Sequence, residues 1–107
     1  MKINLCVIMG GKSVEHEISI ITAVQAINSL DKEKYRIIPL YITKKSELYT
    51  SPAMCDIDSF NDIPALLRKS ERVAFVRRGG TVYLEGEKKG LKKPFGIHID
   101  VAFPIVH

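Results

Sequence analysis

The sequence has no tryptophan, two cysteines and no apolar run long enough to span a bilayer. Cys6 and Cys55 are too far apart for a C-x-x-C pair, and Cys6 lies within an apolar run, where it reads as a small core residue. A reduced, cytoplasmic setting is therefore expected, rather than a disulfide scaffold. Aromatic residues are few, and no RNA-binding aromatic motif is present. The net charge of +4 is modest, and its basic residues cluster late, in RKSER, VRRGG and GEKKGLKK. That pattern reads as a solvated rim, with no nucleic-acid or membrane partner, although it leaves room for attraction to an anion. There are no internal repeats and no low-complexity segments. MKINLCVIMG lacks the cleavage site of a signal peptide and runs straight into an acidic stretch.

What is present is the composition of one soluble globular domain, or part of one, in 107 residues. Ile3 to Met9 is a nearly continuous apolar run, the pattern of a strand buried on both faces of a parallel sheet. Gly10-Gly11 turns the chain, and Ser13 is a candidate N-cap. Ile20, Ala23, Val24, Ile27 and Leu30 recur at helical spacing, which predicts a helix from about Val14 to Leu30 packed on that strand. Ile18 and Ile21 widen its apolar face, so cover on more than one side is expected. YRIIPLYIT reads as a second strand in which Pro39 points to an edge position or a bulge. ELYT is a short third strand, SPAMCDIDSFND a loop, and DIPALLRKS a short helix with Asp62 as N-cap. RVAFVRRGGTVYLEG predicts a β-hairpin about Gly79-Gly80. IDVAFPIVH reads as another buried-type strand. The predicted class is α/β, a mainly parallel sheet flanked by helices with an inserted hairpin.

The chemistry sits in the glycine turn. Strand–glycine–helix junctions often bind phosphate, but neither G-x-G-x-x-G nor G-x-x-x-x-G-K-[ST] is present. Glu15 and Glu17 at the helix start would repel a phosphate and favour a cation. Two accounts fit. The acids complement the helix dipole, or Glu15 receives a substrate ammonium beside a turn that lets a ligand approach closely. Ser19 shares the helical face of Glu15; it either supports the site or is a surface hydroxyl. His16 reads as an exposed helix residue. His107 follows a buried-type strand, and strand ends at the carboxyl edge of a parallel sheet are where sites are built.

GGKSVEHEISI after an apolar strand resembles the N-terminal signature of the D-alanine:D-alanine ligases, through Gly10, Gly11, Ser13, Glu15, Glu17, Ile18 and Ser19. The strand YRIIPLYIT, the residues KSELY and the terminal DVAFPIVH follow in the family's order. The segment from Ser51 to Pro94 matches poorly, and its hairpin resembles an insertion of the vancomycin-resistance-related branch. The resemblance implies a Rossmann-like front domain, residues 1–107, of a longer ATP-grasp ligase that stops just before the family's glycine-rich loop. It implies a reaction in which ATP phosphorylates one D-alanine and the amine of a second displaces the phosphate. Glu15 would hold the first D-alanine's ammonium, with Gly10, Gly11 and Ser19 about the substrate. His107 would lie near its carboxylate and the transferring phosphoryl group. The ligands of ATP and Mg²⁺ would belong to the rest of the ligase chain, with none in residues 1–107, so these residues alone would be inactive. A cytoplasmic homodimer with a role in peptidoglycan synthesis is implied as well. Two other readings compete: a small doubly wound, non-enzymatic binding module, and the front domain of another ATP-grasp enzyme. A phosphoacceptor module would want an Asp at the first strand's tip, where this chain has Met9-Gly10.

Overall fold

The computed structural model describes residues 1–12, 15–86 and 95–105. The expectations for Ser13, Val14 and His107 fall outside these residues. β1 (Ile3–Gly10) is followed by α1 (His16–Ser29) and β2 (Tyr35–Ile42). β3 (Leu48–Thr50) comes next, then α2 (Ile63–Arg68), β4 (Glu71–Arg78) and β5 (Thr81–Gly86). β6 (Gly96–Ile99) and β7 (Val101–Pro104) complete the described chain. The seven strands lie in the order β6-β5-β4-β3-β2-β1-β7.

The class is α/β, as expected, and β1 pairs in parallel with both β2 and β7. The remaining pairings are antiparallel, so the sheet is mixed. Connection length explains the division. A parallel pairing needs a crossover of a dozen or so residues, which α1 supplies between β1 and β2. The short links from β2 to β3 and from β4 to β5 can only reverse the chain. In the second of these, Gly79 and Gly80 take φ of 57° and 85°, the positive angles of a tight primed turn.

β1 is buried on both faces, as its apolar run predicts. Leu5, Val7 and Met9 pack under Ile20, Ala23, Val24 and Ile27 of α1, with Met54 and Leu66 beside them. On the other face, Cys6, Ile38 and Leu40 meet Val73, Leu84 and Ile99. Strands cover that second face. β4, β5 and β6 curl back over it until β6 reaches β1, and a single residue, Asp100, carries the chain from β6 into β7. Asn4 N–H donates to Asp100 Oδ2 at 2.8 Å, and Asp100 N–H donates to the Asn4 carbonyl at 2.9 Å. IDVAFPIVH is therefore broken at Asp100 rather than forming one strand. β7 is not buried here: Val101 and Phe103 are 49% and 48% exposed, since β7 lies at the sheet's edge and pairs only with β1 among the described residues. The Cys6 thiol is pushed up to about 12 by burial, which makes it an inert core group.

Several local expectations are corrected. Ile18 and Ile21 are exposed, so α1 buries one face and not two. Pro39 lies in an interior strand, opposite Val7. Within a strand a residue's N and C=O face the same side, and the Pro39 carbonyl accepts from Thr50 Oγ1 at 2.6 Å. Its missing N–H therefore faces β3, whose ladder with β2 involves only Tyr41 and Ile42. Pro39 thus sits at a local edge inside the sheet. The stretch SPAMCDIDSFND, expected to be a loop, holds two 3₁₀ turns, Pro52–Cys55 and Ile57–Asp62, each opened by a side chain accepting from the backbone, Ser51 and Asp56. Asp62 caps α2 as predicted, accepting from Ala65 N–H at 3.1 Å.

The hairpin is thus part of the core. Leu84→Ala should destabilise the protein by about 2–5 kcal/mol, while Phe75→Ala, at its cross-strand partner on the same face but 42% exposed, should cost about 1 kcal/mol. Denaturant unfolding of both variants checks this, and equal small losses would make the hairpin an appendage.

Candidate functional site

The carboxyl edge of the parallel strands gathers the glycine turn, the start of α1 and the end of β7. Gly10 closes β1 at φ 89°, and a Cβ there would overlap the Ile42 carbonyl oxygen. The same Cβ would stand 3.0 Å from the Tyr41 ring and 3.1 Å from the His16 ring. Only glycine lets the turn lie so close to β2. Gly11 follows at φ 99° with open space beside it, and its N–H donates to the Ile42 carbonyl at 2.8 Å.

His16 is the first residue of α1 and is 2% exposed, which corrects the expectation of an exposed helix residue. Its Nδ1 lies 2.5 Å from the Gly11 carbonyl and its Nε2 lies 2.7 Å from Tyr41 Oη. A carbonyl only accepts, so Nδ1 carries the proton and Nε2 accepts from the Tyr41 hydroxyl. Burial, and then the charge of Glu17, push the Tyr41 phenol up, which keeps it a donor. Tyr41 also meets the His16 and Phe60 rings edge-on.

Ser19, one turn further on, is 1% exposed, which excludes the surface-hydroxyl account. Its Oγ accepts from Gly10 N–H at 3.0 Å and donates to the Ile105 carbonyl. Ile105 N–H in turn donates to the Ile8 carbonyl at 2.8 Å. One hydroxyl thereby ties the glycine turn, α1 and the chain leaving β7. The burial of both residues was signalled by spacing. His16 and Ser19 each stand four residues ahead of an apolar position, Ile20 and Ala23, on the face that packs against β1.

Glu15 is exposed at the N-cap of α1 and makes no side-chain capping hydrogen bond. Its carbonyl accepts from Ser19 N–H at 2.9 Å, so its backbone belongs to the helix while its carboxylate stands at the edge. Glu17 lies 3.9 Å from Lys44 in a pair exposed on both sides. Among the described residues, no three His, Cys, Asp or Glu side chains converge as a metal site. An apolar recess of about 440 Å³ lies elsewhere, against the first half of β2 at Arg36–Pro39 and next to Phe95, with none of the turn's residues in its wall. The turn and the recess are therefore separate features of the fold.

Gly10→Ala should destabilise the protein by about 2–4 kcal/mol, through a positive φ plus backbone overlap. Gly11→Ala, with only the φ penalty, should cost about 1–2 kcal/mol. Denaturant unfolding would show it, and equal effects would contradict the packing at Gly10.

Residues 4–107 match the family model described as D-ala D-ala ligase N-terminus. The D-alanine–D-alanine ligase of Thermosipho melanesiensis is 40% identical over 106 residues, 98% of this chain and 28% of that protein. That of Chlorobium limicola is 34% identical over 111 residues, 99% of this chain and 29% of that protein. The chain thus spans less than a third of the curated relatives it matches. Among solved structures, the D-alanine–D-alanine ligase from Coxiella burnetii superposes with a TM-score of 0.75 at 23% identity, over 99% of this chain and 29% of that one. The VanG D-Ala:D-Ser ligase from Enterococcus faecalis does so at 0.72 and 22% identity, over 100% of this chain and 29% of that one. These two share its fold. With nearly its whole length inside the family match and relatives at this identity, the chain belongs to the family of D-alanine–D-alanine ligase N-terminal domains.

Proposed function

We propose that this chain is the front, substrate-holding part of an ATP-dependent D-alanine–D-alanine ligase, and that Glu15 holds the ammonium of the first D-alanine. The observation that carries this reading is an exposed carboxylate at a helix start, followed directly by the buried His16 and preceded in the chain by a glycine turn held to the sheet. A rigidly based carboxylate suits a ligand ammonium, because little ordering remains to be done on binding.

The described residues do not fit ATP or Mg²⁺. The acids at the helix start repel phosphate, and no metal-ligating cluster is present among them. The nucleotide and its metal are assigned to the remainder of the ligase, and no step through them is derived from this chain. Its contribution is orientation. Holding the ammonium fixes the D-alanine carboxylate relative to the phosphoryl donor, and such positioning is worth on the order of 7 kcal/mol in favourable cases. Gly11, with open space beside it, gives the substrate close access, while Gly10 is buried against β2 and shapes the turn rather than touching substrate, and Ser19 braces it from beneath. His107 lies outside the described residues. What supports its proposed place near the carboxylate is that Ile105, two residues earlier, is bonded to Ser19 and to Ile8 at the same edge as Glu15. The full reading is a cytoplasmic homodimer serving peptidoglycan synthesis. No helix among the described residues is long and apolar enough to cross a membrane.

Replacing Glu15 by Gln in the intact ligase keeps shape and removes charge. A charge-assisted hydrogen bond is worth about 1.5–3 kcal/mol, so kcat/KM for the first D-alanine should fall by roughly one to two orders of magnitude. The KM for ATP should hold. Glu17→Gln is the control, since its exposed pair with Lys44 is worth about 1 kcal/mol or less and faces no substrate in this reading. Steady-state kinetics with a melting curve for each variant decide it. Unchanged kinetics for Glu15→Gln would return this acid to the helix dipole.

A further inference from the structure

His16 is assigned no part in the reading above, yet both its nitrogens are engaged and its ring is buried. Its bonds close a circuit. Gly11 N–H reaches the Ile42 carbonyl, and the Gly11 carbonyl takes the proton of His16 Nδ1. His16 Nε2 takes the hydroxyl of Tyr41, the residue before Ile42. Both backbone groups of Gly11 are therefore held, one by β2 and one by α1, although glycine is the residue freest to move. The peptide following Gly11 is planar and trans, so a carbonyl turned inward to His16 sends the Lys12 N–H outward. The circuit also fixes where α1 begins, and Glu15 is the residue at that point.

We propose that His16 is a positioning residue for Glu15: its imidazole, strung between Tyr41 and the Gly11 carbonyl, locks the glycine turn to the first turn of α1, so that the ammonium of the first substrate meets a carboxylate already in place. The inference rests on the reading of Glu15 as the ammonium anchor. A purely structural His16 would affect stability alone. A positioning His16 affects capture of D-alanine, and does so through Glu15.

The test uses the intact ligase with D-alanine and ATP titrated separately. In His16→Gln, the amide oxygen can still accept from Tyr41 but the bond to the Gly11 carbonyl is lost. The KM for the first D-alanine should rise about tenfold while that for ATP holds. In His16→Asn, the amide nitrogen overlays Nδ1 and restores the Gly11 bond, so most of the loss should be recovered. In a Glu15→Gln background, His16→Gln should add less than about twofold, because the group it positions has lost its charge. An unchanged D-alanine KM in His16→Gln, or an equal loss with and without the Glu15 charge, overturns the proposal. If Glu15→Gln lowers capture and His16→Gln does not, the anchor stands and only the role of His16 falls. If Glu15→Gln alone changes nothing, the anchor reading falls and takes this proposal with it. Should His16→Gln not accumulate as folded enzyme, Tyr41→Phe decides, since it removes one oxygen from the same circuit. A rise of about threefold in the D-alanine KM supports the proposal, and no rise overturns it.

Discussion

Gly10 occupies a space in which no side chain fits. The Ile42 carbonyl, the Tyr41 ring and the His16 ring all crowd the place where a Cβ would stand. Because that place is empty, the turn after β1 lies flat on the end of β2, and the Tyr41 hydroxyl and the His16 imidazole come within hydrogen-bonding distance. The same closeness lets Gly11 N–H reach Ile42 and lets Ser19 collect Gly10 N–H from beneath. The arrangement of the carboxyl edge follows from this one constraint. A glycine turn is ordinarily loose, but here each glycine N–H has a partner inside the fold.

The rest of the fold supplies a rigid base for that edge. β1 is clamped between α1 on one face and the recurved strands on the other, with Cys6, Val7 and Met9 fully buried. Covering the second face with a hairpin has a consequence for topology. The chain must return from β6 to the far side of β1, and it does so through Asp100, whose side chain and backbone both pair with Asn4. β7 is thereby set parallel to β1 and delivers Ile105 to Ser19. The second core and the candidate site are linked by this path: the strand that closes one leads to the other.

Elements with strong periodicity are legible in the amino-acid sequence. β1, α1, β2 and the hairpin follow from apolar spacing and paired glycines, and the cap of α2 from Asp62 and Pro64. The GGKSVEHEISI signature points to the family by its residues alone. What stays hidden depends on contacts remote in sequence. The antiparallel pairings, the curl over the second face and the break at Asp100 are set by packing that no local pattern reports. Ile18 and Ile21 read as core because they are apolar, yet they point away from β1. His16 reads as surface because it is polar, and Ser19 stays open between a surface hydroxyl and a supporting one, yet their spacing from Ile20 and Ala23 puts both on the buried face. Along α1, helical spacing is a better guide to burial than chemical type, and the polar residues on the buried face are those that tie the glycine turn to the helix.

The central claim is that the edge is organised before any ligand arrives. Amide hydrogen exchange at Gly10 and Gly11 in the ligand-free ligase tests it most directly, because those N–H groups donate to Ser19 and Ile42. The account predicts that both exchange as slowly as the amides of β1 and that D-alanine changes them little. Fast exchange in the free enzyme, with protection appearing only on binding, would contradict it, since the turn would then be shaped by the substrate rather than waiting for it.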